Sequence, residues 1–171
     1  MNWESNLSVY MVSLGIPVHL YSLLWTLNAG VIVIVQGILT RFPHIFKNLF
    51  HQIVFGIIML SLSFVTLIFA KDFPHFALSM FILTLGESTA FPAIPAYINE
   101  LSPITSKGKY QGAIMVASGI GRAFGPLFGG MIIDHAGYIP FFTVAVVIIF
   151  LMVLLLVLVI QLLAGLSHLL F

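Results

Sequence analysis

Long apolar runs separated by short polar stretches make up most of the chain. A helix that crosses a bilayer needs about 20 predominantly apolar residues, with a range of roughly 17–25. Five runs reach that length and predict spanning helices over residues 20–39, 50–70, 76–101, 110–133 and 139–163. Residues 7–16 form a shorter apolar stretch, closed by Gly15-Ile16-Pro17. It reads as the end of a helix whose beginning is missing. The expected fold is all-α: one polytopic membrane helix bundle over residues 1–171, with five transmembrane helices and a partial one at the amino end.

Composition makes the bilayer reading compelling. Hydrophobic residues make up 61% of the chain and charged residues 6%, against roughly 45–50% and about 25% in an ordinary soluble domain. A soluble fold of this size still exposes much of its surface and has no way to hide so much apolar area. The charges lie mostly between the apolar runs, as expected where a charge at the bilayer centre costs several kcal/mol. A net charge of +1 gives no reason to expect nucleic acid as a partner. The lipid bilayer is the partner expected from composition.

Loop charges orient the spans. Lys and Arg accumulate in short cytoplasmic loops. Arg41 and Lys47 occupy the loop after the first span, and Lys107 and Lys109 the loop after the third. The alternate loops hold Lys71 beside Asp72, and Asp134 alone. The bias of four basic residues against one places the carboxyl terminus in the cytoplasm. The start, Met1-Asn2-Trp3-Glu4, lacks the basic stretch that precedes a secretory apolar core, so no cleavable signal is expected.

Soluble-enzyme chemistry is not in view, and neither a cofactor nor a metal is expected. With no cysteine, neither disulfides nor thiolate sites are available. Gly119-Ile120-Gly121 misses the dinucleotide-binding fingerprint, because Phe124 stands where its third glycine belongs. Lys107 and Lys109 have no phosphate-cradling glycine spacing around them. His19, His44, His51, His75, His135 and His168 fall near span ends or in loops, where interfacial solvation explains them.

Glu87 and Arg122 stand apart, each near the middle of a span. Ionisable residues at that depth mark functional sites by default, and their matching depths on antiparallel neighbours name each as the other's partner. Two roles are open to such a pair. It is either a proton- or substrate-coupling site, with burial and the neighbouring cation acting in opposite directions on the carboxyl, or an ion pair that fixes helix register.

Gly121, Gly125 and Gly129 recur at four-residue intervals on the fourth span, followed by Gly130. Small residues on one stripe admit a close helix neighbour. Pro126 interrupts this span, and Pro92 and Pro95 interrupt the third, one to two turns from Glu87. Each removes a helical hydrogen bond and favours a bend. Packing and gating are therefore expected of these residues. Asn28 and Gln36 suit interhelical hydrogen bonds, and Phe81 and Phe91 suit packing or lipid contact.

Taken together, these motifs resemble a known family. They are Leu85-Gly86-Glu87, Phe91-Pro92-Ala93-Ile94-Pro95-Ala96, Ser102-Pro103, Gly108-Lys109-Tyr110-Gln111-Gly112 and Gly121-Arg122-Ala123-Phe124-Gly125-Pro126-Leu127-Phe128-Gly129-Gly130. The combination resembles the tenth and eleventh helices of bacterial major facilitator superfamily multidrug-type exporters. Residues 3–10 resemble the outer part of their seventh helix, and residues 20–26 the entry to the eighth.

The resemblance implies twelve helices in two six-helix halves, with substrate bound near the midplane between them. On that basis this chain supplies helices eight to twelve and a stump of seven, and the expected partner is a missing six-helix first half. Arg41-Phe42-Pro43-His44 departs from the family, keeping the bases of its cytoplasmic loop motif without the acid. The expected function is that of a truncated, proton-coupled exporter in the bacterial plasma membrane, unable to transport alone. A membrane scaffold or partner subunit without transport is the alternative. An isolated chain is expected to fold poorly.

Overall fold

A computed structural model describes the backbone of residues 2–170 and the side chains of residues 7–158. The described residues form six α-helices: α1 (Asn2–Ser13), α2 (Val18–Arg41), α3 (Leu49–Ile68), α4 (Phe73–Leu101), α5 (Lys107–Ala136) and α6 (Tyr138–Leu170). Five of them are long and apolar enough to cross a membrane, with α6 counted over Tyr138–Leu158. The ends of α2 to α5 lie within three residues of those read from the apolar runs, and α6 continues beyond 163. The partial helix expected over 7–16 is α1, which starts earlier and stops at Ser13, two residues before Gly15 takes a positive φ of 78°. Its polar first turn, Asn2 to Asn6, gives no signal to a count of apolar residues.

Local chemistry sets the boundaries. Asn48 caps α3, its side chain accepting from the His51 backbone N–H at 2.9 Å. Asp72 precedes α4, with Pro74 in the first turn, where no helical N–H is needed. Ser102-Pro103 ends α4, and one 3-10 turn, Ile104–Ser106, leads into α5. Gly137, at a φ of 89°, separates α5 from α6.

α4 is the central element, packed against α2, α3 and α5. Its closest neighbour is α3. A Cβ built on Gly86 would lie 2.7 Å from the Gly56 carbonyl oxygen, and one on Gly56 would lie 2.6 Å from the Ala90 Cβ. Only glycine fits both positions. Ser79 spans the same interface, donating to the Ser63 carbonyl at 2.8 Å. At one end of the bundle, Leu7, Met11, Leu24, Leu67, Phe76 and Phe142 form an apolar cluster. Tyr10 of α1 stacks on Tyr138 at 4.5 Å and meets Phe76 edge-on at 5.7 Å, which ties α1 to α4 and α6.

α5 is the opposite case. Gly129 is its one buried residue. Met115, Val116, Phe124, Leu127, Phe128 and Met131 are all exposed, as suits contact with lipid or with further helices.

Candidate functional site

Pro92 and Pro95 sit inside α4 without ending it. Having no N–H, Pro92 leaves the carbonyl of Ser88, four residues earlier, without its helical donor. In an apolar medium such a carbonyl costs several kcal/mol unless another donor reaches it. Gln36 of α2 supplies that donor, its Nε2 lying 2.7 Å from the Ser88 oxygen. Gln52 of α3 donates to the next carbonyl, Thr89, at 3.0 Å. Both glutamines, with Pro92, Thr40 and Phe46, line a small cavity of about 220 Å³.

Two more amides hold α4 on either side of this point. Asn28, buried on α2, donates to the Thr84 hydroxyl at 2.8 Å, and Thr84 in turn donates to the Met80 carbonyl at 2.7 Å. Gln111 of α5 donates to the Pro95 carbonyl at 2.8 Å. Asn28 and Gln36 thus make the interhelical bonds expected of them.

The Gln111 bond also fixes the register of α4 against α5. Moving eleven residues along each antiparallel helix brings Arg122 level with Thr84, about 4.5 Å in depth from Glu87 at a rise of about 1.5 Å per residue. The two mid-span charges therefore lie within about one helical turn of each other in depth.

Between the helices lies a cavity of about 670 Å³, lined by Phe91, Ile94, Pro95, Gln111, Ile114, Met115, Ser118, Gly121 and Arg122. Arg122 is exposed there and is the charged group of the wall. A helical side chain leans toward the amino end of its helix, which carries Arg122 over Ser118 and into the cavity. Glu87 is half-buried on α4, one turn before Phe91 and on the same stripe as Phe91, Ile94 and Pro95.

The glycine stripe divides. Gly121 lines the cavity and has nothing within 4 Å of an added Cβ, Gly125 is half-buried, and Gly129 is buried. Gly130, half-buried, likewise has open space around an added Cβ, and Pro126 lies within the unbroken helix. Phe91 faces the cavity, whereas Phe81 is exposed elsewhere on α4. His19, His44, His51, His75 and His135 are exposed, and the side chain of His168 lies outside the described residues. Among the described residues, no three His, Asp or Glu side chains come together as a metal would require.

Sequence reasoning missed Gln52, Gln111, Ser118 and the pair Gly56 and Gly86. A usable signal existed for the glutamines. Each proline inside a lipid-embedded helix weakens its hydrogen bonding, and polar amides on neighbouring spans are natural donors nearby, although the carbonyls that Gln52 and Gln111 reach, Thr89 and Pro95, are not the ones the prolines free.

The profile of the Major Facilitator Superfamily matches residues 5–165. The chain is 41% identical over 136 residues to the uncharacterized MFS-type transporter YttB of Bacillus subtilis (strain 168), covering 79% of this chain and 34% of that protein. It is 31% identical over 124 residues to the uncharacterized MFS-type transporter YqjV of the same organism, covering 72% of this chain and 30% of that one. A shorter match, 46% over 41 residues, links it to the MFS-type transporter gkaD of Penicillium citrinum, covering 24% of this chain and 7% of that protein. No solved structure matches. The chain spans about a third of the length of its two Bacillus relatives. Five membrane-length helices and a profile match over nearly the whole chain agree: this multi-pass membrane protein belongs to the Major Facilitator Superfamily of transporters.

Proposed function

We propose that the chain is the C-terminal half of a bacterial exporter that couples efflux of a small molecule to proton entry, and that it transports only when joined by a six-helix first half. The observation that carries this reading is the cavity between α4 and α5, with Arg122 in its wall and Glu87 on the same α4 stripe. Placed near mid-depth, a cavity with a cation in its wall and a carboxylate on the neighbouring helix has the parts a proton-coupled carrier needs. Glu87 carries the proton, and Arg122 sets how readily it does so. The motifs on α4 and α5 that resemble multidrug-type exporters support efflux as the direction.

The loops favour a plasma-membrane orientation with the α2–α3 and α4–α5 connections, and the carboxyl terminus, in the cytoplasm. Arg41, Lys47, Lys107 and Lys109 lie at those connections. The proline and glycine positions, Pro92, Pro95, Gly121, Pro126 and Gly130, supply the adjustable backbone for gating.

A scaffold without transport is the second reading, favoured by α5, which leaves nearly all its surface for another protein to cover. Co-expression separates the two. The chain is produced in an efflux-deficient bacterium alone, beside the first half of YttB, or not at all, and retention of lipophilic dyes is followed. Lowered retention only when both halves are present is expected. Retention unchanged by the pair, with both halves in the membrane, overturns the transport reading.

A further inference from the structure

We propose that the cavity between α4 and α5 binds an amphiphilic organic anion, its anionic group against Arg122 and its apolar body against Phe91, Ile94, Ile114 and Met115. Naming this ligand class rests on the chain serving a transporter, although binding is measured without transport.

Depth comes first. With fifteen residues of α5 before Arg122 and fourteen after it, the α-carbon lies about 21 Å from either helix end at a rise of about 1.5 Å per residue. That is near the centre of a hydrocarbon layer about 30 Å thick. With no carboxylate among the residues that line the cavity, the guanidinium cation favours an anion as its occupant, and its planar fork suits a carboxylate, sulfonate or phosphate ester.

The rest of the wall selects the body of the ligand. Four apolar side chains surround Arg122's approach, with Ser118 as a hydroxyl. Gln111 already donates to the Pro95 carbonyl, so its amide oxygen is what remains for a ligand. At about 670 Å³ the space far exceeds what a bare inorganic anion fills, and it falls within the range of about 300–1,000 Å³ typical of drug-sized ligands. A cation of the same shape meets Arg122 as a like charge at low dielectric. The same anionic chemistry occurs in lipid headgroups. These sit at the interface, about 15 Å from the midplane in a layer about 30 Å thick, which favours a freely diffusing amphiphile.

The chain has no cysteine, so Ser118→Cys places a single thiol in the cavity wall. The full 171-residue chain with this reporter, co-assembled with a cysteine-free first half of YttB, is placed in phosphatidylcholine nanodiscs and alkylated with a hydrophilic maleimide. The probes are naphthalene-1-sulfonate and the 1-naphthyltrimethylammonium ion, matched in body and opposite in charge. The sulfonate is expected to slow alkylation and the ammonium ion to leave it unchanged. Arg122→Gln should weaken the sulfonate's protection by about 10- to 100-fold, the loss expected with a charge-assisted pair of hydrogen bonds. Equal or better protection by the ammonium ion overturns the proposal, as does sulfonate protection that survives Arg122→Gln. Protection by phosphatidylglycerol in the disc that the sulfonate does not exceed also overturns it, making the occupant a lipid. Should Arg122→Gln not fold, Arg122→Lys decides: the lysine keeping measurable protection supports the anion site, and losing it overturns the site. Protection without dye efflux from the assembled halves removes the transport reading alone, and efflux without protection removes the anion site alone.

Discussion

Two glycines decide how closely α3 can approach α4. A methyl group on Gly86 would meet the Gly56 carbonyl at 2.7 Å and Leu60 at 2.9 Å, and backbone atoms have no rotamer by which to yield. Gly86→Ala is therefore expected to destabilise the bundle by about 1–3 kcal/mol, the usual cost of overpacking a close contact. Gly119→Ala is the control, since nothing lies within 4 Å of its added Cβ. Thermal unfolding in mild detergent should separate the two variants, and equal midpoints would mean that this crossing is looser than described. The sequence pointed elsewhere. Gly121, Gly125 and Gly129 announce themselves by spacing, whereas Gly56 and Gly86 are lone glycines on different helices. Their relation exists only after α3 and α4 have paired. Glu87 and Arg122 were legible for another reason, because depth in a membrane is set by distance along the helix from its own ends, a quantity local to each span.

Among the elements, α4 has the most demanding chemistry, a helix that keeps two interior prolines and many buried polar side chains. Its stability depends on donors carried by other helices. Gln36 is the sharpest case, because the carbonyl it satisfies is the one that Pro92 leaves open. Removing the amide leaves that carbonyl unsatisfied, so Gln36→Ala should cost about 1–3 kcal/mol. In a Pro92→Ala background the helix regains its own N–H donor, and the same Gln36→Ala change should cost little. A double-mutant cycle of unfolding free energies reads this coupling directly. If Gln36→Ala costs the same in both backgrounds, the glutamine is not compensating for the proline. Such compensation is invisible to periodicity, since Gln36 and Ser88 are 52 residues apart. The helices themselves were legible to within a few residues because the bilayer fixes their length.

At the scale of the whole molecule, the chain covers about a third of its Bacillus relatives, and α5 is almost unburied along its length. Under the proposed function, the faces that line the cavity are the ones a second half would complete. The proposed function is proton-coupled and shared between halves, with Glu87 as the proposed proton site. The most direct measurement uses proteoliposomes holding this chain and the YttB first half, with an imposed pH gradient and a lipophilic dye that the assembled halves export. Glu87→Gln removes the titrating group while keeping its shape. The variant pair is expected to assemble, to bind dye and to exchange it across the membrane, yet to lose the acceleration that the pH gradient gives the unaltered pair. Gradient-driven transport by Glu87→Gln at the unaltered rate would contradict the account, and so would loss of assembly in Glu87→Gln and Arg122→Ala alike, which would make the two charges a structural pair.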